Sequence, residues 1–134
     1  MHRIAITVLL AAAALLVATA ASAKGPSRTV VCGKSACLTL NDRDELTYQL
    51  LDQSEPFSLR ARPRPAPFYT VAFRFPGGER WNWSFLYVPS RRMIRVTSSG
   101  GLSVYWRTAP TTVIKAFQPL SAQLKPFSAP RRWR

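Results

Sequence analysis

Tyr69-Thr70-Val71-Ala72-Phe73-Arg74-Phe75 is followed by Pro76-Gly77-Gly78-Glu79 and then by Trp81-Asn82-Trp83-Ser84-Phe85-Leu86-Tyr87. Successive side chains of a strand point to opposite sides, so Tyr69, Val71, Phe73 and Phe75 share one face of a first strand. Trp81, Trp83, Phe85 and Tyr87 share one face of a second. Pro89-Ser90-Arg91 turns the chain into a third strand with Ile94 and Val96 on one face. Ser98-Ser99-Gly100-Gly101 turns it into a fourth, lined by Leu102, Val104 and Trp106. Turns this short join antiparallel neighbours, which predicts a four-stranded antiparallel meander. Its apolar faces need a cover, and the flanking helical segments are the candidates.

Downstream, Pro110 suits a first helical turn, and Val113, Phe117, Leu120, Leu124 and Phe127 recur at helical spacing on one face. Pro119 interrupts that pattern and predicts two short helices or one kinked helix ending at Pro126-Phe127, then a frayed basic tail over residues 128–134. Upstream, Asn41 or Asp42 is expected to cap a helix running to about Gln53, with Leu46, Leu50 and either Leu51 or Tyr48 on its buried side. Asp42, Asp44 and Glu45 fall in its first turn, where carboxylates offset the helix dipole and cap free N–H groups, a simpler reading than an active site. Ser54-Glu55-Pro56 ends this helix, and residues 56–67, rich in proline and arginine, read as an extended connector.

Cys32 and Cys37 bracket Gly33-Lys34-Ser35-Ala36, a spacing suited to a disulfide-closed hairpin between Val30-Val31 and Leu38-Thr39-Leu40. So small a loop gives on the order of 2 kcal/mol in the chain-entropy account. A redox pair would more typically be spaced C-x-x-C, a metal would need further ligands, and intermolecular pairing is the remaining alternative. These elements together predict an α+β fold: an N-terminal hairpin, one helix, a four-stranded meander and a kinked C-terminal helical segment.

Met1-His2-Arg3, the apolar run Ile4–Leu16 and the small-x-small site Ala21-Ser22-Ala23 have the anatomy of an export signal. Cleavage after Ala23 leaves a single small domain over residues 24–127 plus the tail, secreted or otherwise extracytoplasmic, with no membrane span. An uncleaved N-terminal anchor is the alternative. The formal charge of +13 becomes +12 as Arg3 leaves, and the sole histidine, His2, leaves too. A chain without histidine cannot run Ser-His-Asp or Cys-His catalysis or form a His-ligated zinc site, and its carboxylates are few for a two-carboxylate hydrolase. No enzyme, cofactor or metal is expected. The alanine-rich signal, the excess of arginine over lysine and the one short disulfide are similar to small exported proteins of high-GC Gram-positive bacteria, a likeness that implies no activity.

Three local motifs carry little. Gly33-Lys34-Ser35 resembles the end of a phosphate-binding loop, but Arg28 stands where the first glycine would be. Asn82-Trp83-Ser84 matches a glycosylation sequon inside a predicted strand, and Ser121 with Lys125 is a pairing that chance supplies.

Charge distribution says more. Residues 24–55 hold four Lys or Arg against five acids, whereas residues 56–134 hold 14 Lys or Arg against Glu79 alone. High-GC codon usage exchanges lysine for arginine but does not remove Asp and Glu. Arg60, Arg62 and Arg64 alternate along an extended segment and could form one guanidinium row. Arg91, Arg92 and Arg95 gather at a hairpin, and Arg131, Arg132 and Arg134 surround Trp133, the aromatic most expected to be exposed. Guanidinium forks suit phosphate and carboxylate oxygens. The expected role is non-enzymatic association with anionic polymers of the cell envelope, or another polyanion, through these residues. The alternative is a protein-binding module, an inhibitor or assembly partner of another exported protein.

Overall fold

The computed structural model describes residues 25–77, 82–97 and 104–134, so the expected export signal, Trp81, Leu102 and the expected turn at residues 98–101 lie outside the described residues. Strands β1 (Arg28–Cys32) and β2 (Cys37–Leu40) precede helix α1 (Glu45–Leu51). Then come β3 (Leu59–Arg60), β4 (Tyr69–Arg74), β5 (Trp83–Val88), β6 (Met93–Thr97), β7 (Val104–Thr108) and helix α2 (Thr111–Gln123). The fold is α+β, as the periodicities predict, but among the described residues the antiparallel sheet has seven strands rather than the four of the expected meander, in the order β2-β1-β4-β5-β6-β7-β3. The meander β4 to β7 forms its middle. The disulfide hairpin extends it at one edge, with Thr29 and Val31 opposite Phe73 and Val71. From the connector, Leu59 and Arg60 add a short strand at the other edge, opposite Arg107 and Trp106.

Cys32 and Cys37 are register partners, with Cα atoms 4.1 Å apart, and their sulfurs are bonded. Buried Gly33 docks this hairpin on the end of α2: the Lys34 N–H donates 2.9 Å to the Lys125 carbonyl, and a Cβ at Gly33 would stand against that same carbonyl.

Two cores result, one on each side of the sheet. On the helix face, Val31, Val71, Phe73, Phe85, Tyr87, Ile94 and Val96 pack beneath Leu50 of α1 and Val113, Phe117 and Leu120 of α2. On the far face, Leu86, Val88 and Trp106 pack beneath Ala66 of the connector and Trp133 of the tail. Strand β7 joins both, because Trp106 lies opposite Arg95 and so faces away from the helices, while Arg107 lies opposite Ile94 beneath them. The tail is thus an integral cover: Trp133, expected to be exposed, is only 7 % exposed.

Helix α1 is shorter than expected. Asp44, not Asn41 or Asp42, is its N-cap and accepts from the Leu46 N–H at 3.0 Å, while Tyr48 is exposed. The Asn41 side chain accepts from the Arg43 N–H at 2.9 Å, folding the approach into a turn rather than a first helical turn. Helix α2 continues through Pro119 as one element, and Phe127 lies beyond it, bridged to Phe68. Pro119 is exposed, so the Lys115 carbonyl, which it cannot serve as a donor, has water as an alternative. Pro110 at the N-cap position offers no side-chain acceptor. Glu55 supplies one instead, accepting from the Thr111 N–H at 2.6 Å and the Thr111 hydroxyl at 2.9 Å. The residue predicted to end one helix therefore caps the other.

Candidate functional site: the arginine-bearing sheet face

Cross-strand partners project from the same side of a sheet, so the register maps the far face row by row. Arg28 and Arg74 are directly opposite one another on β1 and β4 and both are exposed. The next row crosses six strands: Thr39, Val30, Ala72, Ser84, Thr97 and Val104, all uncharged and each at least partly exposed. The third row runs from the disulfide through Thr70, Leu86, Arg95 and Trp106 to Arg60, and from Leu86 onward it is where the tail and connector lie.

Arg95 ties the tail to the sheet. Its guanidinium stands 5.8 Å over the Trp106 ring and its Nη1 donates 2.9 Å to the main-chain oxygen of Arg134. Burial pushes this guanidinium below its ordinary pKa. Trp133 lies 5.2 Å from Trp106 and 5.7 Å from Phe68, centroid to centroid, and its Nε1 donates to the Pro63 carbonyl at 2.8 Å. Arg131, Arg132 and Arg134, on either side of it, are exposed.

The connector's arginines are divided between β3 and the chain after it. Arg60 belongs to β3 opposite Trp106, while Arg62 and Arg64 flank the half-buried Pro63 and are exposed. Prolines at 63, 65 and 67 hold that segment extended. The hairpin cluster divides as well. Arg95 is on the far face, but Arg91 and Arg92 occupy the β5–β6 turn, where Arg92 is left-handed with φ 49°. Arg92's charge opposes the larger effect of burial, which raises the Tyr87 phenol pKa. The far face thus gathers Arg60 and Arg95 with the segments bearing Arg62, Arg64, Arg131, Arg132 and Arg134, and it omits Arg91 and Arg92.

Sequence reasoning missed Arg28 and Arg74 as a pair, since alternation places Arg74 opposite the core but only β1–β4 pairing brings Arg28 beside it. It missed Arg107 too. Among the described residues every acid lies in residues 42–55, in or around α1, and none lies in the elements that build the far face. Arg107 is the one fully buried arginine among the described residues, and it faces the helices. Its Nη1 donates to Gln53 Oε1 at 3.1 Å, its Nε to the Thr108 carbonyl at 3.1 Å, and its Cζ sits 3.8 Å from the Phe57 ring centroid.

Concavities open on the helix face among the described residues. A cavity of about 320 Å³ is lined by Tyr69, Tyr87, Phe117 and Ser121 among others, and an apolar cleft of about 270 Å³ by Gln53, Trp83, Val96 and Tyr105. The Tyr69 hydroxyl donates 2.8 Å to the Leu124 carbonyl and the Ser121 hydroxyl 3.1 Å to the Gln118 carbonyl. In the Gly33-Lys34-Ser35 loop the first two N–H groups are paired, with Ala36 and Lys125 carbonyls. Asn82 lies just before β5, and its side chain accepts from the Phe75 N–H at 3.0 Å. No cluster of three or more His, Cys, Asp or Glu side chains suited to a metal occurs among the described residues.

Comparison of the chain with protein-family models, with curated proteins and with solved structures finds no match.

Proposed function

We propose that this protein is exported, has no catalytic role, and adheres to anionic polymers of the cell envelope through the arginine-bearing far face of its sheet. One observation carries the reading: Arg28, Arg74, Arg95 and the arginine-rich tail and connector share a side of the sheet whose elements, among the described residues, contain no acid. The acids of the described residues lie in and around α1, so positive potential is offset there and not on the far face. Guanidinium groups match the oxygens of phosphate and carboxylate. Export is supported by the N-terminal signal pattern and by the Cys32–Cys37 disulfide, a bond favoured in oxidising compartments. Among the described residues no helix is long and apolar enough to cross a membrane.

Association driven by displaced counterions weakens steeply with salt. Retention of the purified protein on immobilised anionic wall polymer is therefore expected to fall by at least about a hundredfold between about 50 and 200 mM salt. Unchanged retention across that range overturns the reading.

A specific feature favours a second reading, a protein-binding module. Phe57 and Leu59 are 46 % and 70 % exposed, Phe57 stacks on Tyr105, and Tyr105 also lines the apolar cleft. A defined exported protein partner retained at high salt, and lost on Leu59→Asp, is its expected signature.

A further inference from the structure

The row Thr39, Val30, Ala72, Ser84, Thr97, Val104 runs across the strands as a continuous uncharged strip of small and β-branched residues. At about 4.8 Å per strand its length is about 24 Å. Arg28 and Arg74 stand along one side of it. Along the other are Arg95 and, held by Arg95's bond to its main-chain oxygen, Arg134 of the tail. None of the six floor residues belongs to either hydrophobic core. The strip is therefore the floor of a trough running perpendicular to the strands and bordered by arginines at opposite corners, Arg28 and Arg74 at β1 and β4 on one side, Arg95 with Arg134 at β6 on the other.

Resting on the polyanion reading above, we propose that this trough takes one linear phosphodiester polymer of the polyol-phosphate type, lying across the strands. Charge complementarity selects an anionic chain, and the low floor, with Ala72 and Ser84 at its centre, gives a backbone room to lie against the sheet. Hydroxyls of Thr39, Ser84 and Thr97 share this floor with the methyl groups of Val30, Ala72 and Val104, an amphipathic surface that suits a polyol chain, which carries both hydroxyl and hydrocarbon groups. The aromatic rings of this face offer no platform for bases: Trp106 and Trp133 are 8 % and 7 % exposed and Phe68 is packed between Phe127 and Trp133. Nucleic acid, whose binding to single strands draws on such stacking, is accordingly disfavoured.

The full chain is titrated against poly(glycerol phosphate), with polygalacturonate and single-stranded DNA of matched charge as comparison probes. Poly(glycerol phosphate) is expected to bind most tightly. Arg28→Ser with Arg74→Ser should weaken it about tenfold more than Arg43→Ser with Lys115→Ser, which removes equal charge from the helix side. Ala72→Phe, which fills the floor without altering charge, should weaken it by a similar factor, provided that circular dichroism shows a cooperative thermal transition. If that variant does not fold, the two double variants decide. Equal losses from the two doubles, full binding by folded Ala72→Phe, or tighter binding to either comparison probe overturns the trough while leaving general polyanion adhesion standing. Failure of the unmutated chain to bind any of the three polymers overturns both.

Discussion

The indole of Trp133 and the carbonyl of Pro63, 70 residues apart in the chain, are joined by a 2.8 Å hydrogen bond on the side of the sheet opposite the helices. That bond fastens the tail to the connector and closes the smaller core over Leu86, Val88 and Trp106. A Trp buried in this way both fills volume and satisfies its N–H, so its removal has two separable parts. Trp133→Phe keeps a ring and loses the hydrogen bond, at about 1 kcal/mol. Trp133→Ala also loses the packing, at about 3–5 kcal/mol. Urea unfolding measures both, and Trp106, uncovered in the alanine variant, should add a red shift to the fluorescence.

Arg107 is expected to be the arginine least tolerant of substitution. It is 2 % exposed, bonded to Gln53 and Thr108, and capped by Phe57, so it positions the chain between α1 and β3. Arg107→Ala should destabilise by about 2–4 kcal/mol through lost hydrogen bonds and a cavity. Arg107→Lys should restore little, because a single ammonium cannot reproduce the planar fork that meets Gln53 and the backbone while stacking on a ring. By contrast, substitution of the exposed Arg91 should change stability by less than about 0.5 kcal/mol. Thermal unfolding of the three variants tests the order.

Gly33→Ala should be destabilising by more than the change in backbone entropy would suggest. The added methyl would meet the Lys125 carbonyl, which also accepts the Lys34 N–H, so the hairpin must lift away from the end of α2. Overpacking of this kind typically costs about 1–3 kcal/mol. Slower exchange of the Lys34 amide in the native chain than in the variant is the local signature; equal exchange rates would show that the docking is not the constraint.

Acid should loosen the attachment of α2. The backbone N–H and then the hydroxyl of Thr111 hold the Glu55 carboxyl below the ordinary glutamate range, and the Ser54 hydroxyl and N–H do the same for Asp52. A carboxyl with a lowered native pKa contributes stability that is present above its unfolded value, about 4, and is lost as pH falls through the native one. Stability should therefore decline below about pH 4. Glu55→Gln should lower the midpoint at neutral pH and flatten that decline. A variant with an unchanged slope would exclude Glu55 as its source.

Local pattern was enough for much of this molecule. Alternation marked the inward faces of β4, β5 and β6, the four-three spacing marked Val113, Phe117, Leu120 and Leu124, and the close cysteines marked a hairpin with its bond. Each of these depends on neighbours a few residues apart, and each feature is fixed by periodicity or loop length. The charge imbalance was equally plain, since it needs only counting. Arginine placement was different in kind. Whether Arg28 stands beside Arg74, whether Arg95 meets the tail, and whether Trp133 is bare or buried depend on strand pairing and on which segment covers the second side of the sheet. Alternation cannot say which face of β7 is inward, because Tyr105 and Trp106 are both large and aromatic, and the register with β6 assigns them to opposite sides. The sequence by itself determined the hairpin, the meander strands and the two helical segments in outline, the disulfide and the excess of positive charge. Tertiary structure alone decided that the sheet is covered on both faces and that part of this charge borders an uncovered strip, because those outcomes follow from contacts between residues far apart in the chain, up to 70 positions for Trp133 and Pro63, whose loop-closure and packing energies no local pattern records.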